Sequence, residues 1–490
     1  MGKKGKLFRK SRIVYLGIAA LGVILNISAW NSTVFSDWYI EHLFPAWVNV
    51  YGRVTGLFSF SVGEWMLVVG VILMVMAAAL GVVWAVIGAA AGVRGIYRGA
   101  RRWKAGLEGE RAGLTDMAEG GCAEQKGLTA ESGCAEQKGL AAEGSSAEQK
   151  GLTAEGGCAE QKGLVGRTAE KTAAEGLGGQ RIFGGFRHFS RGFGYFFAWT
   201  VLAVCLIMTL NCFVLYHAST FSEHYFGEDT GEYTLAELIE VYNMVAGQCN
   251  SLAGQIERDE NGMAVYTGSV GKEGGLLDME DMARELMRQL GEEYPQLDGY
   301  YPRPKALLSS DFMCQQHMQG YYFPFSMEAN YNDVMHILNF PSTMCHELAH
   351  LRGYIYEDEA NFIGYLACVE SEDVFFQYAG YLSVLVYLNN DLYKAWKEER
   401  AAYEEAAAIV CPVAVNAQVW EDNIFVTEEE WERINGKALI DTEIVDKAAD
   451  VFIDANLKVN GVADGKISYS RVVRLLLQYY RQNPEEAGAV

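Results

Sequence analysis

The sequence predicts an α+β chain in which three transmembrane helices lead into a large, mainly helical extracytoplasmic domain carrying a small sheet. Three observations predict it. Apolar residues make up 50% of the 490, and they gather in three runs before residue 217, each near the roughly 20 residues that a hydrocarbon core requires. Lys and Arg cluster beside those runs although the whole chain carries a formal charge of −22. The C-terminal part alternates stretches of helical periodicity with one aromatic, Pro-punctuated stretch.

The first run covers 13–30 and follows a basic N-terminus, residues 1–12, with Lys3, Lys4, Lys6, Arg9, Lys10 and Arg12. A signal peptide shares this pattern, but no small-x-small cleavage site follows cleanly and Trp30 suits an interfacial anchor. A retained span is the preferred reading. Residues 31–64 form an external loop whose single base is Arg53. The second span, 65–93, closes on Arg94, Arg98, Arg101, Arg102 and Lys104, and the third, 193–216, follows Arg181, Arg187 and Arg191. Short-range Lys and Arg mark the cytoplasmic side. The N-terminus and 94–192 are therefore expected in the cytoplasm, and 217–490 outside.

Between the second and third spans CAEQKGL begins at Cys122, Cys134 and Cys158, with a variant at Ser146. This low-complexity insert of period 12 has too few large apolar residues to offset its ordering entropy. It is expected to be disordered or partly helical, with no chemistry of its own.

In the domain that follows, helical periodicity marks 235–256, 277–290, 369–403 and 427–434. Gly320 to Ser326 is aromatic enough for a strand, and Pro324 inside it makes that an edge strand. Cys249, Cys314, Cys345, Cys368 and Cys411 show no CxxC spacing, and read as mostly buried small hydrophobes. The net charge and the placement of the bases argue against nucleic acid as a partner.

The segment His346-Glu347-Leu348-Ala349-His350 carries the chemistry. Pro341 before it and Gly353 after it punctuate a short helix. Residues four apart share a helix face, so His346 and His350 can point two imidazoles at one ion. Glu347 projects beside them, where a carboxylate can take a proton from an attacking water. With 8 His and 62 acids in the chain, chance predicts about 0.02 such matches. A zinc ion in a hydrolytic site takes three protein ligands, and Glu357 or Glu359 offers the third. They stand roughly 200° apart on a helix, so one excludes the other. The face through Glu357, Asn361, Gly364 and Cys368 is small and can approach the first helix closely, whereas Glu359 leads to Phe362, Ile363 and Leu366. Glu357 is the preferred ligand, Glu359 the alternative, and Asn361 a group supporting a ligand from behind.

HELAH followed by Glu357–Asn361 resembles the gluzincin metallopeptidases. That resemblance implies a zincin-like fold, zinc held by His346, His350 and Glu357, and Glu347 as general base. The departures are Asn361, where many members have Asp, and a short gap between the two motifs. HExxHxxG is also similar to metzincins, but their next ligand position falls on Tyr356. More closely, the chain resembles an uncharacterised family of bacterial three-pass membrane proteins, domain of unknown function 3810. The likeness runs from Phe60–Glu64 through GYYFPFSMEAN (320–330), HELAHLRG and EDEANFIGYLAC to Ile467-Ser468-Tyr469. It implies an outward-facing peptidase-like domain and no particular substrate.

The expected function is therefore a membrane-anchored zinc metallopeptidase acting on an extracytoplasmic protein or cell-envelope peptide. Its partners would be the lipid bilayer and a peptide, with Tyr321, Tyr322, Phe323, Glu328 and Asn330 as candidate substrate contacts on the edge strand. Tyr469 is the leading oxyanion candidate, with His317 and Tyr365 behind it. The rival reading is a non-catalytic sensor or scaffold stabilised by zinc, which would have no need of Glu347.

Overall fold

The computed structural model describes residues 2–123, 157–227, 233–268, 275–459 and 471–487. It has two compact units, one made of Met1–Gly70 with Trp199–Val490 and the other of Val71–Ala198. Among the described residues three helices are long and apolar enough to cross a membrane: Lys10–Asn31, Val62–Glu108 and Phe183–His217. Each outruns the corresponding apolar run in the sequence, because flanking Lys and Arg are good helix formers and continue the helix. The first belongs to α1 (Gly2–Asn31). The loop 31–64 is not irregular: it holds α2 (Thr33–His42), capped by Ser32, and single helical turns at Phe44–Trp47 and Arg53–Thr55 with a wide turn between them. The second span starts α3 (Val62–Ala123), and the third runs through α4 (Gly157–Met208). Most of the repeat, residues 124–156, lies outside the described residues.

In the smaller unit Trp84 packs on Phe183 and Phe186. In the larger one Asn26 Nδ2 donates to Thr209 Oγ1 at 2.8 Å, and Tyr15 meets Trp199 edge-on.

The C-terminal domain is mainly helical, as its periodicity predicts. Its frame is α5 (Leu235–Ala253), opened by a Thr234–Glu237 capping box, and α6 (Leu276–Glu293). A small sheet follows: β1 (Lys305–Ala306), β2 (Gly320–Phe323) and β3 (Glu328–Tyr331), in the order β1-β3-β2. β3 is parallel to β1 and antiparallel to β2, with Tyr321 opposite Asn330. β2 is the edge strand expected, and it stops before Pro324, which has no N–H to donate. Then come α7 (Phe340–His350), α8 (Glu357–Val369), α9 (Val374–Glu398) and α10 (Arg471–Gln482). The predicted helix 369–403 is thus broken twice: Val369 closes α8, a turn follows in which Asp373 accepts from the N–H groups of Phe375 and Phe376, and Glu399 divides α9 from a further helix, Arg400–Ile409. α7 packs on α8, α6 and the sheet, while α9 packs on α5 and α8. All seven cysteines from Cys205 onward are unpaired. Five are buried, but Cys205 and Cys411 are exposed.

The sheet is also joined to the 31–64 segment. Lys305 Nζ donates to Glu328 Oε1 at 2.5 Å and to the carbonyls of Thr55 and Phe60. Glu328 in turn accepts from the N–H groups of Val62 and Gly63 at the start of α3. A buried ion pair holds its place when its remaining donors and acceptors are satisfied, and here they close the turn that opens the second candidate span.

Candidate metal centre

Pro341 lies in the first turn of α7, where a missing N–H goes unnoticed, and Gly353 takes φ +99° just beyond its end. α8 then folds back along α7. The approach is tight because Gly364 has no side chain: a β-carbon there would lie 2.8 Å from the Ser342 carbonyl oxygen and 3.1 Å from the His346 nitrogen. This is the small face on which Glu357 and Asn361 stand.

His346 Nε2 lies 3.1 Å from His350 Nε2 and 3.1 Å from Glu357 Oε2. The far sides of both rings are engaged. His346 Nδ1 is 2.9 Å from Asn361 Oδ1, and His350 Nδ1 is 2.7 Å from the Tyr354 carbonyl oxygen. Those oxygens only accept, so each Nδ1 carries a proton and each neutral ring directs its Nε2 lone pair inward. Two lone pairs facing at that distance repel unless a cation lies between them. Atoms that share a tetrahedral zinc at the usual bond lengths stand roughly 3.3 Å apart, close to the two separations that His346 Nε2 makes.

The electrostatics agree. Burial drives His350 down to about 4, which keeps it neutral and able to ligate. With a proton rather than a metal on Nε2, His346 bonds to Glu357: burial works against charge on both, but that hydrogen bond and attraction outweigh it, raising His346 and holding Glu357 well below the ordinary carboxylate range. The two shifts are reciprocal: the carboxylate favours a charged ring, and the charged ring favours the carboxylate. Glu357 is 40% exposed, so the cluster opens to solvent on that side.

Glu347 stands beside the two histidines. Its carboxylate and the two histidine rings each place an atom within 4.8 Å of the others. The residue is 4% exposed, and its Oε2 has no hydrogen-bond partner. Burial pushes its carboxyl up to about 8, with His346 opposing the shift. An orphaned buried carboxylate is costly, and its position suits proton transfer to or from a molecule bound at the cluster.

Glu359 points elsewhere. It accepts from Ser222 N and Oγ, at 3.3 and 2.9 Å, and burial raises it to about 7. Of the two candidate ligands, Glu357 is therefore the one the fold brings to the histidines.

The candidate substrate residues divide. Tyr321 buries a hydroxyl that lacks a partner, and Phe323 packs over Gly63. Tyr322 donates to the Asn211 carbonyl oxygen at 3.1 Å, and its ring lies 6.0 Å from that of His350. Glu328 is held by Lys305, and Asn330 is fully buried with its amide on the carbonyls of Tyr321 and Glu328. Both belong to the inner strand β3, and Asn330 Oδ1, like the Tyr321 hydroxyl, is buried without a partner. Tyr469 lies outside the described residues. Tyr365 is fully buried against the Tyr480 hydroxyl, and His317 pairs with Asp446.

Two participants had no signal in the sequence. The Tyr354 carbonyl orients His350 but is backbone. Gly320 opens β2 directly against Glu347, and a β-carbon there would meet Glu347 Oε1 at 2.8 Å.

No curated protein and no solved structure matches the chain. The model of one family, described as protein of unknown function (DUF3810), matches residues 182–477, which include the whole of the cluster. That is more than half of the chain, and the chain belongs to this family.

Proposed function

We propose that the protein is a membrane-anchored zinc metallopeptidase that hydrolyses peptide bonds of an extracytoplasmic protein or cell-envelope peptide. One observation carries the reading: two inward Nε2 lone pairs and the Glu357 carboxylate converge beside an orphaned buried Glu347. His346, His350 and Glu357 would hold the ion, with Asn361 and the Tyr354 carbonyl fixing the rings from behind. Zinc, when bound, supplies Lewis acidity toward a carbonyl and toward water.

The chain's own residues do the rest. Glu347 takes the proton of the attacking water and returns it to the leaving amine. The outer edge of β2 offers backbone N–H and C=O groups, to which an extended peptide can add as a further strand. Tyr321, with its unpartnered hydroxyl, is the side chain on that strand best suited to meet it. The placement of Lys and Arg supports a cytoplasmic N-terminus and an external C-terminal domain.

Metal analysis of the purified full-length protein in lipid, joined to a search for cleavage products among envelope proteins, tests the proposal. One zinc per chain and a defined set of products are expected. Absence of zinc after purification without chelators would overturn it.

A further inference from the structure

The segment between the first two candidate spans has two faces. Tyr39, Phe44 and Val48 are buried in the domain core, and Asp37 accepts from Ser219 N and Oγ. On the opposite side Val34, Trp38, Val50, Val54, Leu57 and Phe58 are between 45% and 83% exposed. Single exposed apolar residues are ordinary, but this many in so short a stretch is not. Both ends of the segment run directly into helices of membrane length, at Asn31 and at Val62. The apolar face is continuous with surfaces already suited to lipid, and a Trp beside small helical turns fits the interfacial layer.

The end of the third span fixes where the histidine cluster lies. Tyr322 touches the His350 ring on one side and donates to Asn211, in the last turns of the third span, on the other. Those two contacts in series keep the His350 ring within about 12 Å of the Asn211 carbonyl, the reach of roughly four extended residues. Tyr356, next to Glu357, donates to the Tyr216 carbonyl at 2.7 Å. Asn211 Nδ2 also donates to the Pro324 carbonyl at 2.8 Å. The cluster is bolted to the end of a span rather than carried on a linker.

We infer that the face formed by Val34, Trp38, Val50, Val54, Leu57 and Phe58 lies in the lipid interface and holds the candidate metal centre at the membrane surface, so that its substrate is a polypeptide cut within a few residues of its own membrane anchor. The substrate clause rests on the peptidase reading. The lipid clause does not.

Full-length protein in proteoliposomes tests both. Cysteine placed at Val34, Val50 or Leu57, with the other reactive cysteines replaced by serine, is labelled with an environment-sensitive fluorophore and challenged with doxyl lipids. Ile409, 75% exposed and in a helix remote in sequence from the spans, serves as control. Quenching at the three positions and not at Ile409→Cys is expected. Unquenched labels would overturn the lipid clause whatever the activity. In the second arm a fluorogenic mixture of randomised peptides carries a palmitoyl anchor through a spacer of about three or about twenty residues, a difference that changes local concentration at the site. Cleavage about 10-fold faster with the short spacer is expected. Equal rates would overturn the substrate clause alone. No cleavage of either, with zinc bound, would remove the peptidase reading and the substrate clause with it.

Discussion

Gly320 and Glu347 stand so close that a β-carbon on the glycine would lie 2.8 Å from the carboxylate's Oε1 and 3.0 Å from its Cγ. The first residue of the edge strand therefore forms a wall for the one orphaned carboxylate of the cluster. The same imagined β-carbon would lie 2.6 Å from the Asn330 carbonyl oxygen, so it has no second direction in which to relax. Access of Glu347 to a molecule beside β2 depends on that missing side chain.

Gly320→Ala should accordingly displace Glu347 while leaving the three proposed ligands in place. Zinc content should stay near one per chain, and turnover should fall about 10²-fold, the scale on which a small misplacement acts. Metal analysis and peptide cleavage on the same preparation check it. Loss of zinc would mean that the strand supports the ligands and not the base.

Glu357→Gln and Glu359→Gln separate the two acids of α8. Glu357 lies 3.1 Å from His346 Nε2, and its replacement should remove most of the zinc. Glu359 is tied to Ser222, so its amide variant should keep the metal. The reverse pattern would exchange the two assignments.

Much of this arrangement was legible in the sequence, and the limits have physical causes. The i,i+4 histidines, Pro341 and Gly353 define α7, and the small face through Gly364 selects Glu357, because helix geometry is local and periodic. The 31–64 segment was not legible as structure. Its helical turns after α2 are short, and the last of them ends where Lys305, distant in sequence, bonds the Thr55 carbonyl. Glu328 and Asn330 read as part of the edge strand because periodicity cannot show that 320–330 folds into two strands, β2 outside and β3 inside. The Tyr354 carbonyl has no residue signature at all.

A buried network away from the cluster holds the domain's far side. Arg258 grips Asp422 through two bonds of 2.8 and 2.7 Å, and Tyr378 donates to the same carboxylate at 2.6 Å. Asp422 is 4% exposed, so Arg258→Met strands a buried charge and should cost about 3–5 kcal/mol. Burial works against its charge, but Arg258 and Tyr378 prevail and hold Asp422 below the usual carboxylate range. A carboxyl lowered in the folded state adds stability above its unfolded pKa and loses it as pH falls through the folded one. The wild type should therefore lose stability from about pH 4 downward, and Arg258→Met should show a weaker loss there. Urea midpoints of the detergent-solubilised chain report it, and unchanged midpoints at neutral pH would sink the idea.

Topology has a usable reporter in Cys411. It is exposed, whereas Cys249 is fully buried and would be silent on either side of a membrane. A membrane-impermeant thiol reagent added to intact cells should label a chain that keeps only Cys411, and should spare one that keeps only Cys122. Labelling of Cys122 in sealed cells would reverse the orientation inferred from Lys and Arg.

Glu347→Gln distinguishes an enzyme from a zinc-stabilised scaffold. The amide has nearly the same shape, so packing against Gly320 and the fold should survive. The inward nitrogens of His346 and His350 and the carboxylate of Glu357 are untouched, and zinc should stay near one per chain. What the amide lacks is a basic oxygen. It cannot take the proton of an attacking water, and general base catalysis contributes roughly 10²–10⁴-fold. Turnover of any peptide the wild type cleaves should fall by that factor while KM changes little, because the lost interaction belongs to the transition state. A scaffold predicts something else. With no proton to transfer, the substitution should leave zinc content, Tm and function unchanged. Zinc retained, turnover lost and Tm unchanged or higher supports the peptidase. Full cleavage by Glu347→Gln would refute the proposed chemistry even with the metal in place.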